Sequence, residues 1–145
     1  MEKIDLKQLK LEDYPSKTFD KVRYVDTDRQ GHVNNAVFTS FSETGRAEIY
    51  YDFENPLAAP DASFVIASSF INYLAEINWP GRVDIGTCIT RIGTSSFSLA
   101  QGFYQDGKLC GTAETTVVHV SGHPLRSCPL PEKTKEKFRS LMLKD

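Results

Sequence analysis

Apolar positions along the chain change from a period of two to a helical period and then back again. Residues 18–24 alternate and predict a short strand. From Val33 to Tyr51 the apolar residues fall three and four apart, which predicts one long helix with a broad buried face. The residues of this face are Phe38, Phe41, Gly45 and Ile49. A glycine on that face suggests that the helix lies close against a sheet. Residues 52–62, with two prolines, predict a loop.

Most of the chain after residue 62 alternates again. Every second residue from Val65 to Trp79 is apolar or small, which predicts an unusually long strand. Three further alternating stretches cover residues 83–93, 97–103 and 109–120. The Lys- and Glu-rich residues 131–143 predict a terminal helix with Phe138 and Leu141 facing in. This order of elements predicts an α+β domain in which one long helix packs against an antiparallel sheet.

Size and composition indicate one globular domain. The chain has 145 residues, and we divide it into an N-terminal extension, residues 1–17, and a single domain, residues 18–145. The net charge of −2 disfavours a protein whose task is to hold nucleic acid. No apolar run approaches the roughly 20 residues of a membrane span, and the first residues lack a signal core, so we expect a cytoplasmic protein. Cysteine and histidine spacing predicts free thiols and no metal site.

The loop before the long helix carries the candidate chemistry. Residues 26–35 hold two carboxylates, an imidazole and two amides directly before a helix whose first amides are unpaired. An EF-hand calcium loop is excluded because its twelfth position, which requires a bidentate Glu, is Val37. Asp26 alone is interpreted as a local turn residue, and Asn34 or Asn35 as the helix cap.

Two kinds of chemistry fit the cluster as a whole. A carboxylate at a helix N-terminus can attack a carbonyl or activate a water, while the helix amides stabilise the oxyanion. A thioester suits this arrangement, because its thiolate leaves easily, and the chain has no G-x-S-x-G serine motif. Hydration or dehydration of an acyl chain by an Asp/His pair is the alternative. Hydrolysis needs an ionised carboxylate, so activity should fall at acid pH.

The segment Asp26-Thr27-Asp28-Arg29-Gln30-Gly31-His32-Val33-Asn34-Asn35 resembles the loop of hot-dog-fold thioesterases of the 4-hydroxybenzoyl-CoA thioesterase type. The resemblance continues through Phe38, Phe41, Glu43 and Arg46 and covers nearly the whole chain, with residues 71–75 matching the family's central strand and residues 93–97 its hairpin. It implies a five-stranded antiparallel sheet wrapped around one long helix, with a C-terminal helix. The His-Val-Asn-Asn stretch departs from the 4-hydroxybenzoyl-specific enzymes, so the resemblance does not imply an aromatic acyl group.

The resemblance also implies an acyl-CoA thioesterase with defined site residues. Asp28 is the implied catalytic carboxylate, the backbone N–H of Asn35 polarises the thioester carbonyl, and His32 lies in the same loop. The substrate is expected to contact Asn34, Phe70, Tyr73, Ser95 and Ser96. Basic candidates for the CoA phosphates are Arg82, Arg91, Lys108 and Arg126. No cofactor is implied, because coenzyme A is part of the substrate, and a homodimer or homotetramer with the site at the subunit interface is expected.

Three questions stay open at this level. In the hydratases that this fold resembles, an Asp and a His stand five positions apart, whereas Asp28 and His32 are four apart. The dehydratase sequence His-Phe-Pro-Gly is also missing. A non-catalytic acyl-CoA-binding module would use the same loop without turnover. Glu43 occupies the helix, where a related branch keeps its acid, but we interpret it as a surface ion pair with Arg46 at i,i+3.

Overall fold

One antiparallel sheet and one long helix dominate the computed structural model, which describes residues 4–144. The helices and strands are β1 Ser16–Lys21, α1 Phe38–Tyr50, β2 Ala62–Tyr73, β3 Arg82–Ile92, β4 Ser96–Gln105, β5 Lys108–Ser121, β6 Arg126–Ser127 and α2 Glu132–Ser140. The strand order is β1-β3-β4-β5-β2, and the two-residue β6 pairs with β5. The predicted α+β architecture, with five long strands, α1 and a C-terminal helix, is confirmed. No helix within residues 4–144 is both long and apolar enough to span a bilayer.

The long helix lies against the centre of the sheet, as its apolar face predicts. Phe38, Phe41, Gly45 and Ile49 are all buried. A Cβ atom on Gly45 would lie 2.9 Å from both Ile85 Cγ2 and Thr87 Oγ1, and closer still to the side chain of Gln101. The glycine therefore allows the backbone of α1 to approach β3 and β4 directly. This confirms the close contact that the sequence suggested.

We expect Gly45→Ala to destabilise the protein by about 1–2 kcal/mol net. The added methyl meets three side chains at 2.9 Å or closer, so its overpacking cost should fall at about 2–3 kcal/mol. Alanine offsets roughly 1 kcal/mol of that cost, which it gains over glycine in a helix interior. Urea unfolding followed by circular dichroism measures the difference. Thr39→Ala, on the exposed side of the same helix, is the matched control and should not destabilise. A Gly45→Ala protein as stable as the wild type would contradict the close packing.

The predicted strand from Val65 to Trp79 is too long, because β2 ends at Tyr73. The N–H groups of Leu74 and Ala75 both donate to the carbonyl oxygen of Cys110, at 2.9 and 3.1 Å, and the chain then leaves the sheet. Ala67 is a bulge, since Ile66 lies opposite Val117 and Ser68 opposite Thr116. The sequence alternates through both irregularities, so its period alone cannot locate them.

The N-terminal segment covers the outer face of the sheet, opposite α1. Leu6 and Tyr14 are buried against Cys88, Ala100 and Tyr104. The Tyr104 hydroxyl also donates to the carbonyl oxygen of residue 9 at 2.7 Å. Burial of the Cys88 thiol raises its pKa to about 11, so this thiol stays neutral. The extension therefore adds a second apolar layer to the domain.

The predicted surface pair between Glu43 and Arg46 is wrong. Arg46 is only 6% exposed, and its Nη1 donates to Ser42 Oγ at 2.7 Å. Ser42 Oγ in turn donates to Gln101 Oε1 at 2.6 Å. Among residues 4–144 no ion pair joins Glu43 to Arg46, and Glu43 is exposed. The spacing allowed the pair, but the guanidinium instead donates to the Ser42 hydroxyl, one turn earlier on α1.

Candidate active site

The loop before α1 is a tight hairpin in which Asp28 and His32 lie opposite each other across the turn. The Asp28 N–H donates to the His32 carbonyl oxygen, and the Gly31 N–H donates to the Asp28 carbonyl oxygen, both at 3.0 Å. Thr27 and Val33 form an isolated antiparallel bridge on either side of the turn. Gly31 has a φ of 90°, a left-handed conformation that favours glycine. The backbone thus fixes where the two candidate side chains start.

Asp26 has a local structural role, as interpreted from the sequence. Its side chain is 3% exposed, and its Oδ2 accepts a hydrogen bond from the Arg23 N–H at 2.8 Å. Its Oδ1 accepts a second from Arg23 Nη2 at 3.0 Å. The Asp26 carbonyl oxygen accepts from the N–H of Asn34 at 2.9 Å. The buried carboxylate therefore closes one turn and ties it to the start of the helix.

Asp28 keeps a carboxylate oxygen available. Its side chain is half-buried, and its Oδ1 accepts a hydrogen bond from the Gln30 N–H at 2.9 Å. Within residues 4–144 this is the only hydrogen bond to the carboxylate. One bond fixes the orientation of the group, and Oδ2 remains free to accept a proton or to act as a nucleophile.

The start of the helix offers an unused amide. Asn34 Oδ1 accepts a hydrogen bond from the Ala36 N–H at 3.0 Å, so Asn34 is the cap that the sequence predicted at one of two positions. A 3₁₀ turn, Asn35–Val37, then leads into α1. The N–H of Asn35 has no acceptor among the described residues. It is therefore free to donate to a ligand at the positive end of the helix dipole.

A hollow of about 250 Å³, which we call the reaction hollow, lies beside this amide. It brings together three residues that the sequence predicted, His32, Asn35 and Tyr73. Asp28 belongs to the same hairpin but does not line the hollow. The other lining residues are Val33, Phe38, Leu74, Ala75, Glu76 and Ile77. The wall formed by residues 74–77 was missed, because the alternating pattern placed that segment within a strand.

Glu76 is a polar residue of the reaction hollow that the sequence did not predict. Its Oε1 lies 3.9 Å from His32 Nε2, and it is largely exposed. His32 Nδ1 lies 3.3 Å from the carbonyl oxygen of Val33, an acceptor that places the ring proton on Nδ1 in the neutral form. Nε2 is therefore the ring nitrogen available to a ligand. No motif in the sequence pointed to Glu76.

The remaining predicted residues lie elsewhere in the chain. Phe70 is 61% exposed and sits opposite the exposed Glu114, on the outer face of the sheet. Arg91 donates to Ser96 Oγ at 3.0 Å in the hairpin that joins β3 to β4, and Ser95 belongs to the same hairpin. This hairpin lies at the far end of α1, where the Phe97 ring packs 6.4 Å from that of Tyr50. One chain by itself does not bring these residues to Asp28.

A larger hollow of about 510 Å³ lies between the N-terminal segment and residues 140–144, and it contains none of the predicted site residues. In the part of the chain that the structure describes, no group of three or more His, Cys, Asp or Glu side chains is arranged to hold a metal ion.

Known proteins match this chain over most of its length. A sequence model of the thioesterase-like superfamily matches residues 22–138. The acyl-CoA thioester hydrolase YbgC of Escherichia coli is 27% identical over 123 residues, which cover 82% of this chain and 92% of that protein.

Solved structures agree with the sequence matches. A thioesterase from Thermus thermophilus, complexed with coenzyme A and Zn, is 30% identical with a TM-score of 0.76, covering 90% of this chain and 96% of its own. A predicted thioesterase from Bacillus stearothermophilus is 27% identical with a TM-score of 0.79, covering 90% and 98%.

Proposed function

Since the chain belongs to the thioesterase-like superfamily, whose characterised relatives include thioester hydrolases, we propose that it hydrolyses acyl-CoA to a free acid and coenzyme A. The free N–H of Asn35 at the start of α1 carries this proposal, because it lies in a hollow beside the Asp28 hairpin. A thioester carbonyl oxygen that accepts this hydrogen bond gains stabilisation as negative charge develops on it.

Asp28 is the proposed catalytic carboxylate. As a general base, it takes a proton from water, the hydroxide attacks the carbonyl carbon, and the carbon–sulfur bond breaks to release the CoA thiolate. As a nucleophile, its free oxygen attacks the same carbon and forms an anhydride that water then hydrolyses. His32 lines the reaction hollow, and its Nε2 is proposed to hydrogen-bond the water or the substrate.

We also propose that the active unit is a homodimer formed through β2. This strand lies at the edge of the sheet, so one side of its backbone has no partner strand among residues 4–144. Its exposed apolar side chains, with that of the following residue, are Val65, Ile66, Phe70, Tyr73 and Leu74. An exposed apolar edge of this length is a template for pairing with a second copy. The N-terminal segment covers the outer face of β3 and β4, which disfavours a tetramer stacked through that face.

Two more detailed proposals concern the type of acyl group and the residues that contact CoA. We retain the 4-hydroxybenzoyl-CoA thioesterase type as the proposed branch, without an aromatic acyl group. Among the basic candidates, Arg82 is bound to Asp84 at 2.9 Å and lies over the Phe19 ring, and Arg91 is bound to two serines. Arg91, whose partners are neutral hydroxyls, keeps an uncompensated positive charge and is the preferred candidate for a CoA phosphate.

Incubation of the purified protein with a panel of acyl-CoA thioesters tests the function. We expect release of free CoA thiol in proportion to the free acid formed. An enoyl-CoA in the panel separates the hydratase alternative, which would remove the double bond without releasing thiol. Tight binding in calorimetry without release of thiol from any acyl-CoA would identify a binding module and contradict the proposal.

A further inference from the structure

Of the described residues that line the reaction hollow, Glu76 alone carries a carboxylate. Its Oε1 lies 3.9 Å from His32 Nε2, and no other basic side chain within residues 4–144 forms an ion pair with it. The Glu76 side chain is 67% exposed, and an ion pair this exposed contributes at most about 1 kcal/mol to folding. Stability therefore gives little reason for a carboxylate at this position.

Main-chain hydrogen bonds hold the backbones of Glu76 and His32 beside each other. The N–H of Val33, which follows His32, donates to the carbonyl oxygen of Ile77, which follows Glu76, at 2.8 Å. The carbonyl oxygen of Glu76 itself accepts a hydrogen bond from the Cys110 thiol at 3.5 Å. The Asp28 hairpin and the wall formed by residues 74–77 are therefore joined at the point where the two side chains meet.

The separation of these two side chains suits a single water molecule. At 3.9 Å, His32 Nε2 and Glu76 Oε1 are too far apart for a direct hydrogen bond, but one water that donates a hydrogen to each can bridge them. Both atoms are acceptors, because the neutral ring carries its proton on Nδ1, toward the Val33 carbonyl oxygen. Such a water keeps a lone pair for a carbonyl carbon, and the N–H of Asn35 lines the same hollow.

The water step needs a base other than Asp28 if that residue is the nucleophile. Once its carboxylate has formed an anhydride, Asp28 has no charge left with which to take a proton from water. Asp28 also lies outside the lining of the reaction hollow, whereas His32 and Glu76 are part of it. The bases that a water in the hollow meets are therefore His32 and Glu76.

We propose that Glu76 and His32 hold and activate the water that hydrolyses an anhydride formed on Asp28. The inference rests on the proposed thioesterase function. In the first step, an Asp28 oxygen bonds to the carbonyl carbon and the carbon–sulfur bond breaks, which releases the CoA thiolate. In the second, the bridging water attacks the same carbon, its proton passes to His32 Nε2, and the bond from that carbon to Asp28 breaks. The Glu76 carboxylate stabilises the imidazolium, which then releases the proton to solvent.

Rapid-mixing measurement of CoA thiol release separates the two steps in Glu76→Gln. Thiol leaves in the first step, so kcat/KM for thiol release reports that step, whereas kcat reports whichever step is slower. The amide keeps the size of the side chain but carries no charge. We expect a burst of about one thiol per active site, then turnover about ten- to a hundredfold slower than in the wild type, with kcat/KM within about twofold of it.

Two further variants and a control complete the test. His32→Gln should give the same burst with a larger loss of kcat, about 10²- to 10³-fold, because the proton acceptor is removed. The double variant should turn over no more slowly than His32→Gln alone, since the two residues act on one water. Glu48→Gln, which removes an exposed carboxylate of α1, is the matched control and should behave as the wild type. Circular dichroism establishes that each variant is folded.

Two results would overturn the inference. Wild-type kinetics in Glu76→Gln would remove this residue from the chemistry. A parallel fall of kcat and kcat/KM without a burst would mean that no anhydride accumulates, so the pair does not serve a second step. Asp28→Asn should show neither burst nor turnover, because it blocks the first step. Failure of the proposed function is distinct from all of these, since the wild-type protein would then release no thiol from any acyl-CoA.

Discussion

Asp28→Asn is expected to lower kcat for acyl-CoA hydrolysis by about 10²- to 10⁴-fold, the range attributed to a positioned acid or base. The amide keeps the size of the side chain and can still accept the hydrogen bond from the Gln30 N–H, so the hairpin should keep its shape. It cannot take a proton from water or form an anhydride. The change should therefore appear in kcat, with KM and the melting temperature close to those of the wild type.

The chain offers a matched control two residues away. Asp26→Asn alters a carboxylate of the same loop, but one that is buried and bound to Arg23. We expect this variant to lose about 0.5–2 kcal/mol of stability, the cost typical of a weakened cap, and to lose far less turnover. Near-wild-type turnover in Asp28→Asn, or an equal loss in both variants, would remove Asp28 as the catalytic carboxylate.

The parts of the site that the sequence predicts are those set by neighbouring residues. The Asp28 hairpin and the Asn34 cap depend on hydrogen bonds that span four residues or fewer. The spacing of polar groups along the chain therefore carries their geometry directly. The buried face of α1 was predictable for the same reason, since a period of 3.6 fixes which side chains share a face.

The parts that were missed depend on contacts between distant segments. The Ser42 hydroxyl joins Arg46 to Gln101, on a strand that α1 meets only in the folded protein. The end of β2 is set by the carbonyl oxygen of Cys110, and Glu76 reaches the reaction hollow only because the strand ends there. Alternation along one strand contains no information about its neighbour, so these features had no signal in the sequence.

The free edge of β2 allows the proposed dimer to be tested by a substitution at one backbone position. The Leu74 N–H donates to the Cys110 carbonyl oxygen of β5. Hydrogen-bonded pairs alternate along an antiparallel ladder, so the N–H groups of Ser69, Ile71 and Tyr73 point away from β5 toward the free edge. A proline at one of these positions removes a donor from the proposed dimer and none from the ladder with β5.

Ser69→Pro is therefore expected to weaken the dimer by about ten- to a hundredfold in Kd and to lower activity in parallel. One lost hydrogen bond contributes about 0.5–1.5 kcal/mol, and a two-fold interface loses it twice. Analytical ultracentrifugation gives the dissociation constant, and circular dichroism establishes that the monomer is folded. Activity per chain should rise again with protein concentration, as mass action reforms the dimer.

Ser69→Ala is the matched control for this test, because it removes the contact of 3.3 Å between the Ser69 and Thr115 hydroxyls but keeps the backbone N–H. The alanine variant should remain dimeric and active. If Ser69→Pro is a folded monomer with full activity at low concentration, the site is complete in one chain and the shared site is wrong. If it stays as tightly dimeric as the wild type, the dimer does not form through β2. If Ser69→Pro loses both dimerisation and turnover and Ser69→Ala loses neither, catalysis at Asp28 depends on pairing through β2.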